Sequence, residues 1–195
     1  MIVSATNLYL PFVNFNPNKL KNLDFLNFTM LVLKQDKEFE GKLKIETELV
    51  DPINVNINKL NESIKKAKGT IVVLGGNERI NRKALENKKV SILLNVENNI
   101  KEDSLHYRRS GLNQVLCKLA NENNISIGFD FCSLLRTSGK ERAKILGRML
   151  FNYKLCKKYK VKMIFSCFAK DKFELRNNDC LRVFERILER YSKNL

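Results

Sequence analysis

The sequence predicts an α/β fold in which parallel strands alternate with helices. Its short apolar and β-branched runs are typical of buried parallel strands, and they lie at residues 28–33, 43–49, 70–74, 90–94, 125–131 and 161–167. In the second half, one strand and one helix repeat about every 35 residues, a length typical of a βαβ module. This order favours a parallel sheet with right-handed crossover connections.

Helical patterns separate the later runs, because apolar residues recur there with spacings of three and four. The three patterns are Leu112, Val115, Leu116 and Leu119; Ile145, Leu146, Met149, Leu150 and Tyr153; and Leu181, Phe184, Ile187, Leu188 and Tyr191. Ser138 and Glu141 have the spacing of a capping box, which predicts a helix over 139–159.

An open doubly wound sheet and a small (β/α) barrel both accommodate this order of elements. A weak additional strand at residues 2–5 raises the strand count and favours a TIM-like barrel. The chain has 195 residues and no Gly-, Pro- or Ser-rich linker, so we expect a single domain over 1–195. The N-terminal residues match neither a signal peptide nor a membrane-spanning helix, and no membrane partner is expected.

The charge of the chain indicates a polyanionic partner. Thirty-six Lys and Arg stand against 21 Asp and Glu, giving a net charge of +15, and His106 is the only histidine. Excess positive charge attracts phosphate and releases its counterions, whereas one histidine cannot build a His-rich metal site. The five cysteines form no C-x-x-C pair. We therefore expect buried thiols, a cytoplasmic location, and neither metal ligands nor catalytic groups on this chain.

Basic residues follow four successive predicted strands, where the carboxyl ends of a parallel sheet place functional groups. They are Arg79, Arg82, Arg108, Arg109, Arg136, Lys140, Arg142, Lys170, Lys172 and Arg176. Arginine suits phosphate because its planar fork donates two hydrogen bonds. The alternative is that these are ordinary polar loops of a basic chain.

Two further features each allow two interpretations. Gly75 and Gly76 follow a strand and would let backbone N–H groups approach a phosphate, or would simply form a tight turn. The lysines between Lys154 and Lys162 would line an RNA backbone, or would form a solvated helix end that complements the helix dipole.

Several motifs, in this order, resemble one known family. They are Val73-Leu74-Gly75-Gly76 with Asn81-Arg82 and Ala84, Ser110 through Asn113 running into Val115 and Lys118-Leu119-Ala120, Phe129 through Leu135, Met149 with Asn152 and Lys157-Lys158-Tyr159, and Leu175-Arg176 with Asp179-Cys180-Leu181. The chain resembles archaeal ribonuclease P protein component 3, the family of the thirty-kilodalton subunit of the eukaryotic enzyme. The resemblance covers roughly residues 70–190.

The resemblance implies a TIM-like barrel of the metal-dependent phosphoesterase (PHP) type without its metal site. It implies a subunit of the ribonucleoprotein that removes 5′ leaders from precursor tRNA, in which the RNA subunit does the chemistry with Mg²⁺. Its implied partners are the ribonuclease P RNA, precursor tRNA, protein component 2 and the other ribonuclease P proteins. The residues expected to contact RNA are Arg82, Arg108, Asn113, Lys118, Arg136, Lys158 and Arg176.

The sequence departs from the family pattern at Gln114, where the family usually has histidine, and at Arg109, where it usually has an acidic residue. Gln114 can still donate and accept hydrogen bonds. Two other functions remain open at this point. One is a metal-dependent phosphoesterase or nuclease on a PHP-like barrel, and the other is an RNA-binding module outside ribonuclease P.

Overall fold

A computed structural model of the chain describes the second half almost continuously. It covers residues 60–66, 70–98, 102–104, 107–169, 174, 176 and 178–193, and four strand segments at 8–9, 12–13, 30–33 and 44–50. The predicted strand at 2–5 lies outside these residues, as does His106.

The described strands form one sheet in which every neighbouring pair is parallel. They are β1 (Leu8–Tyr9), β2 (Phe12–Val13), β3 (Met30–Leu33), β4 (Lys44–Val50), β5 (Thr70–Leu74), β6 (Val90–Leu94), β7 (Ser126–Asp130), β8 (Met163–Ser166) and β9 (Phe168–Ala169). Their order is β1-β8-β7-β6-β5-β4-β3-β2-β9. The parallel sheet predicted from the alternation is confirmed.

Helices connect these strands. They are α1 (Leu60–Lys66), α2 (Glu78–Glu86), α3 (Gln114–Glu122), α4 (Phe131–Leu135), α5 (Gly139–Lys158) and α6 (Asn178–Ser192). The helix predicted over 139–159 is confirmed to within one residue. Ser138 is its N-cap residue, but its side chain makes no capping hydrogen bond, and Glu141 pairs with Lys144 instead. No helix of the described residues is long and apolar enough to cross a membrane.

An aromatic core joins the sheet to α5 and α6. Phe129 of β7 and Phe165 of β8 stack with ring centroids 5.3 Å apart, Tyr153 of α5 lies 6.3 Å from Phe165, and Phe184 of α6 meets Phe165 edge-on at 6.1 Å. All four rings are buried. Because successive residues of a strand face opposite sides, Asp130 and Ser166, which follow these phenylalanines, lie on the other face of the sheet.

Three positions of the predicted helical patterns are not core residues. Val115, Ile187 and Tyr191 are 55%, 41% and 52% exposed, although their spacing places them with apolar neighbours. Each lies at the edge of its helix's apolar face, where a period of 3.6 does not separate a packed position from an unpacked one. Four of the five cysteines are buried as expected, whereas Cys180 is exposed.

Glycines let two loops pack at the carboxyl ends of β5 and β6. Gly111 has φ +87°, and a Cβ there would lie 1.9 Å from the carbonyl oxygen of Val96. Gly76 has φ +118°, and a Cβ there would lie 2.7 Å from the carbonyl oxygen of Asn98. These contacts favour the tight-turn interpretation of the diglycine, because the backbone of the neighbouring loop already occupies the space beside it.

We predict that Gly111→Ala destabilises the chain by about 2–4 kcal/mol, because the new methyl group overlaps a backbone carbonyl and the residue keeps a positive φ. Gly139→Ala is the matched control, since Gly139 has φ +51° and nothing lies within 4 Å of its Cβ position. Its expected cost is about 1 kcal/mol, the left-handed backbone alone. Urea denaturation of both variants measures the difference, and equal losses would show that the overlap is relieved without cost.

Candidate RNA-binding surface

Arg148 on α5 holds the long loop that joins β6 to α3. Its side chain is 1% exposed. Nε and Nη2 donate to Asp103 Oδ1 at 3.0 and 2.8 Å, and Nη1 donates to the carbonyl oxygen of Glu97 at 3.0 Å. The backbone N–H of Arg109 donates to the same Asp103 oxygen at 2.9 Å. One buried guanidinium thus fixes both the beginning and the middle of the loop.

Further side chains attach the same loop to α5. Asn152 is buried, and its Nδ2 donates to the carbonyl oxygen of Ser110 at 2.8 Å. Arg108 Nη1 donates to the carbonyl oxygen of Gly147 at 2.9 Å. Arg108, which was predicted to contact RNA, is therefore exposed but fixed against α5 by one N–H donor. The other N–H donors of its guanidinium group face solvent.

Two asparagines of the family motifs have structural partners. Asn113 is the N-cap of α3, and its Oδ1 accepts from the Leu116 N–H at 2.9 Å. Asn81 is buried in α2, where its Oδ1 accepts from the Gly76 N–H at 3.1 Å and its Nδ2 donates to the Gly111 carbonyl oxygen at 3.0 Å. These contacts make Asn113 a helix cap that fixes the end of the loop, and its predicted contact with RNA stays a prediction.

Tyr159 links Lys158 on α5 to the helix α3 that carries Lys118. The Tyr159 hydroxyl lies 3.3 Å from Gln114 Oε1 and donates to it, and the Lys158 ammonium lies 5.7 Å from the centre of the Tyr159 ring. Lys118 follows Gln114 by four residues and shares its face of α3. We call these four residues the helix-pair surface. Within the described part of the chain neither lysine has a carboxylate partner, so both ammonium groups are available to phosphate.

Arg136 is engaged by carboxylates at the carboxyl ends of the strands. It makes a two-pronged ion pair with Glu174, and its Nη1 lies 3.8 Å from Asp130 Oδ2. The hydrogen bond that Arg136 donates to Glu174 raises the pKa of Arg136, and the nearby carboxylates outweigh the opposite effect of burial. RNA phosphate would have to compete with two carboxylates for this guanidinium, which makes Arg136 the weakest of the predicted contacts.

Glu97 is a buried carboxyl group beside this region. It is 0% exposed, and among the described residues no other side chain or backbone group hydrogen-bonds to its carboxylate oxygens. Burial raises its pKa to about 8; its own backbone N–H and Arg148 act in the opposite direction, and Asp130 adds to the rise. Glu97 is therefore largely protonated at neutral pH, and Arg148 contacts its backbone rather than its charge.

The remaining predicted contacts lie apart from the helix-pair surface. Arg82 is exposed on α2 and pairs with Glu86 one turn away at 2.9 Å, a surface pair that contributes little to stability and leaves the guanidinium accessible. The backbone N–H of Arg176 donates to Cys167 Sγ at 3.3 Å. The structure thus places Lys118 and Lys158 on two helices that the contact of Tyr159 with Gln114 joins, and it distributes the other predicted residues around neighbouring loops and helices.

Arg148 was missed by the sequence analysis. It stands three residues after Ile145 and next to Met149, so its position falls on the apolar face of the helix, and a charged residue at such a position signals a buried ion pair. Gln114 was noted only as a departure from the family pattern. Its hydrogen bond with Tyr159 makes it part of the helix-pair surface.

No group of three or more His, Cys, Asp and Glu side chains that could hold a metal ion occurs in the part of the chain that the structure describes. Glu97 and Asp130 are near enough for their charges to interact, and Asp130 faces the guanidinium of Arg136. The described residues offer cationic and amide groups for binding.

The fold and this surface define a class: α/β proteins with a parallel sheet and exposed lysines on neighbouring helices. The family model of the RNase P subunit p30 matches residues 58–193. The chain belongs to the RNase P subunit p30 family.

Curated relatives agree with the family model. "Ribonuclease P protein component 3" of Methanosarcina barkeri is 35% identical over 75% of this chain and 57% of its own length. The proteins of that name from Methanococcoides burtonii and Methanocaldococcus jannaschii are 35% and 33% identical over 77% and 76% of this chain, and 64% and 59% of their own lengths. The chain thus spans less than two thirds of the length of these relatives.

A solved structure shares the fold over nearly the whole chain. A chain of the cryo-EM structure of archaeal ribonuclease P with mature tRNA matches with a TM-score of 0.74 and 27% identity, covering 95% of this chain and 85% of that one. The order of elements therefore agrees with that of a protein seen inside a ribonuclease P assembly.

We predict that Arg148→Ala lowers the free energy of unfolding by about 3 kcal/mol, because it leaves a buried carbonyl group and a partly buried carboxylate without their donors. Lys144→Ala is the control, since the Lys144 ion pairs on the same helix are exposed to solvent, and its effect should be much smaller. Chemical denaturation followed by circular dichroism measures both. Similar losses in the two variants would contradict the anchoring role of Arg148.

The pKa of Glu97 predicts a pH dependence of stability. The folded chain keeps the proton up to about pH 8, whereas the unfolded chain loses it near pH 4.5. Between these values the folded state binds more protons than the unfolded state, so stability falls as pH rises. Glu97→Gln removes this contribution, and the variant should become more stable relative to the unmodified chain from pH 5 to pH 8. Parallel stability curves for the two proteins would refute a buried, neutral Glu97.

Proposed function

We propose that this chain is a protein subunit of ribonuclease P, which binds the catalytic RNA and supports removal of 5′ leaders from precursor tRNA. Membership of the p30 family and the likeness to a chain of that assembly carry the proposal. The net charge of +15 and the exposed lysines of the helix-pair surface supply the attraction to RNA that such a subunit requires.

The chain acts by binding, and the chemistry belongs to the RNA subunit with its Mg²⁺. Lys118 and Lys158 face phosphates, Gln114 offers an amide to the backbone or a base, and the Tyr159 ring gives a flat apolar surface beside them. These groups neutralise charge and position RNA, and none of them activates water. Precursor tRNA, protein component 2 and the other ribonuclease P proteins are the remaining partners of this proposal.

The proposed architecture is a single TIM-like barrel over 1–195, of the PHP type but without its metal site. The strand pairs support closure: β1 pairs with β8, and β2 pairs with both β3 and β9. β1 and β9 stand at the two ends of the strand order. β1 is joined to β2 through residues 10 and 11 alone, and β2 pairs with β9, which only Cys167 separates from β8, the partner of β1. The two ends of the sheet are therefore neighbours. A cytoplasmic location fits five free thiols.

Omission from a reconstituted enzyme tests the function. Ribonuclease P RNA and the other protein subunits are assembled with and without this chain, and precursor-tRNA cleavage is followed at low Mg²⁺. We expect a large fall in cleavage when the chain is omitted, and no cleavage by the chain alone. Equal cleavage in both assemblies would refute the subunit function, and metal-dependent cleavage by the isolated chain would favour the phosphoesterase alternative.

A double substitution tests the surface. Lys118→Gln with Lys158→Gln removes two charges, so RNA affinity should fall and the slope of log affinity against log salt should decrease by about two, one for each lost phosphate contact. Lys88→Gln with Lys89→Gln is the matched control, because these lysines are exposed on the α2–β6 turn and are not part of the helix-pair surface. A filter-binding titration at several salt concentrations measures the slopes. An identical decrease in both variants would mean that the charge of the whole chain, and not this surface, binds RNA.

A further inference from the structure

Among the residues that the structure describes, helix α6 is covered on one flank and exposed on the other. On the covered flank, the Tyr153 hydroxyl of α5 lies 3.4 Å from Glu185, and Lys157 of α5 lies 3.7 Å from Glu189. Beneath the helix, Leu181, Phe184 and Leu188 are buried against the sheet and α5. These contacts already use the apolar residues that a helix on a parallel sheet requires.

The open flank carries an additional apolar row, which we call the α6 stripe: Val183, Ile187 and Tyr191. The three residues are spaced by four, so they lie one above another along the helix, and they are 51%, 41% and 52% exposed. Counting 100° per residue, the row continues the buried face on the side opposite Glu189. An exposed apolar row of this kind marks an interaction surface more often than a scattered residue does.

A row of arginines borders the α6 stripe on its solvent side. Arg182, Arg186 and Arg190 each precede a residue of the stripe, and all three are exposed. Arg182 also pairs with Asp179 in the first turn of the helix at 3.4 Å, so Arg186 and Arg190 are the main cations of the row. The Arg190 guanidinium lies 6.0 Å from the centre of the Tyr191 ring, which extends the flat surface at that end. Apolar side chains and cations are therefore arranged side by side over two turns of helix.

We infer that the α6 stripe and its arginines dock an acidic amphipathic helix of another protein of the ribonuclease P assembly. The incoming helix would cover the open flank as α5 covers the other, with its apolar face on Val183 and Ile187 and its carboxylates on the arginine row. Arginine pairs with carboxylates in two-pronged fashion, which fixes the register of such a helix. The inference rests on the proposed function, because the partner is sought within that assembly.

The side chains of the stripe distinguish a protein helix from other occupants. Val183 and Ile187, two of the three stripe residues, are branched aliphatic residues with no flat face for stacking on a base and no polar group for a phosphate. Tyr191 and the arginines are groups that RNA-binding surfaces also use, so the aliphatic pair is what favours a protein helix. A second copy of this chain would bring another helix with the same arginines from a molecule of charge +15. An acidic helix satisfies both rows at once.

The test uses the other protein subunits of an archaeal ribonuclease P as probes, each purified and titrated without RNA against the full chain. Val183→Asp with Ile187→Asp should weaken the binding of one probe about tenfold or more, because it places carboxylates in an apolar contact. Val115→Asp with Leu135→Asp is the matched control, since these residues are 55% and 39% exposed on other helices, and its binding should be unchanged. Arg186→Glu with Arg190→Glu tests the charged row, and should weaken the same probe and remove its salt dependence.

Each outcome decides the inference. Equal binding of the probes by the unmodified chain and the stripe variant would overturn it, as would the absence of any binding probe. Loss of affinity for ribonuclease P RNA alone, with probe binding kept, would reassign the stripe to RNA. A lower melting temperature of the free stripe variant, relative to its control, would show that the stripe packs within this chain. In all these cases, a fall in cleavage upon omission of the chain would still uphold the proposed function.

Discussion

The attachment of the β6–α3 loop to α5 is the constraint on which the rest of the surface depends. Arg148 bonds to Asp103 and to the Glu97 carbonyl oxygen, and Asn152 bonds to the Ser110 carbonyl oxygen. Because Asn113 begins α3 directly after this loop, the position of the loop sets the distance between α3 and α5. The contact of Tyr159 with Gln114, and hence the placement of Lys118 beside Lys158, follows from that distance.

The arginines and the lysines of this chain use their positive charge differently. The arginines with the most contacts, Arg148 and Arg136, are held by carboxylates, and a partly buried, two-pronged arginine pair is stronger than any exposed contact with phosphate in water. The lysines at the ends of the helices are solvated and free to exchange water for phosphate, and the release of counterions drives their binding. The 36 Lys and Arg of the sequence are thus an upper bound on its cationic RNA-binding groups, because the most engaged cations support the fold.

The sequence predicts the elements better than their contacts. Hydrophobic periodicity located β5, β6 and the long helix α5 closely, because buried parallel strands and a helix of five turns leave strong periodic signals. It could not tell which of two equivalent apolar positions is covered, so Ile187 was counted as core although it is exposed. Nor could it separate an arginine that binds phosphate from one that pairs with a distant carboxylate, since Arg136 meets Glu174 across 38 residues of sequence.

The positions of the two surfaces permit simultaneous binding of RNA and protein. Helix α5 contacts α3 on one side and α6 on the other. The helix-pair surface occupies the α3 side, and the α6 stripe lies on the flank of α6 that faces away from α5. A protein helix on the stripe would therefore leave Lys118 and Lys158 exposed. In the proposed subunit, RNA would thus be held on one face of the chain and a second protein on another.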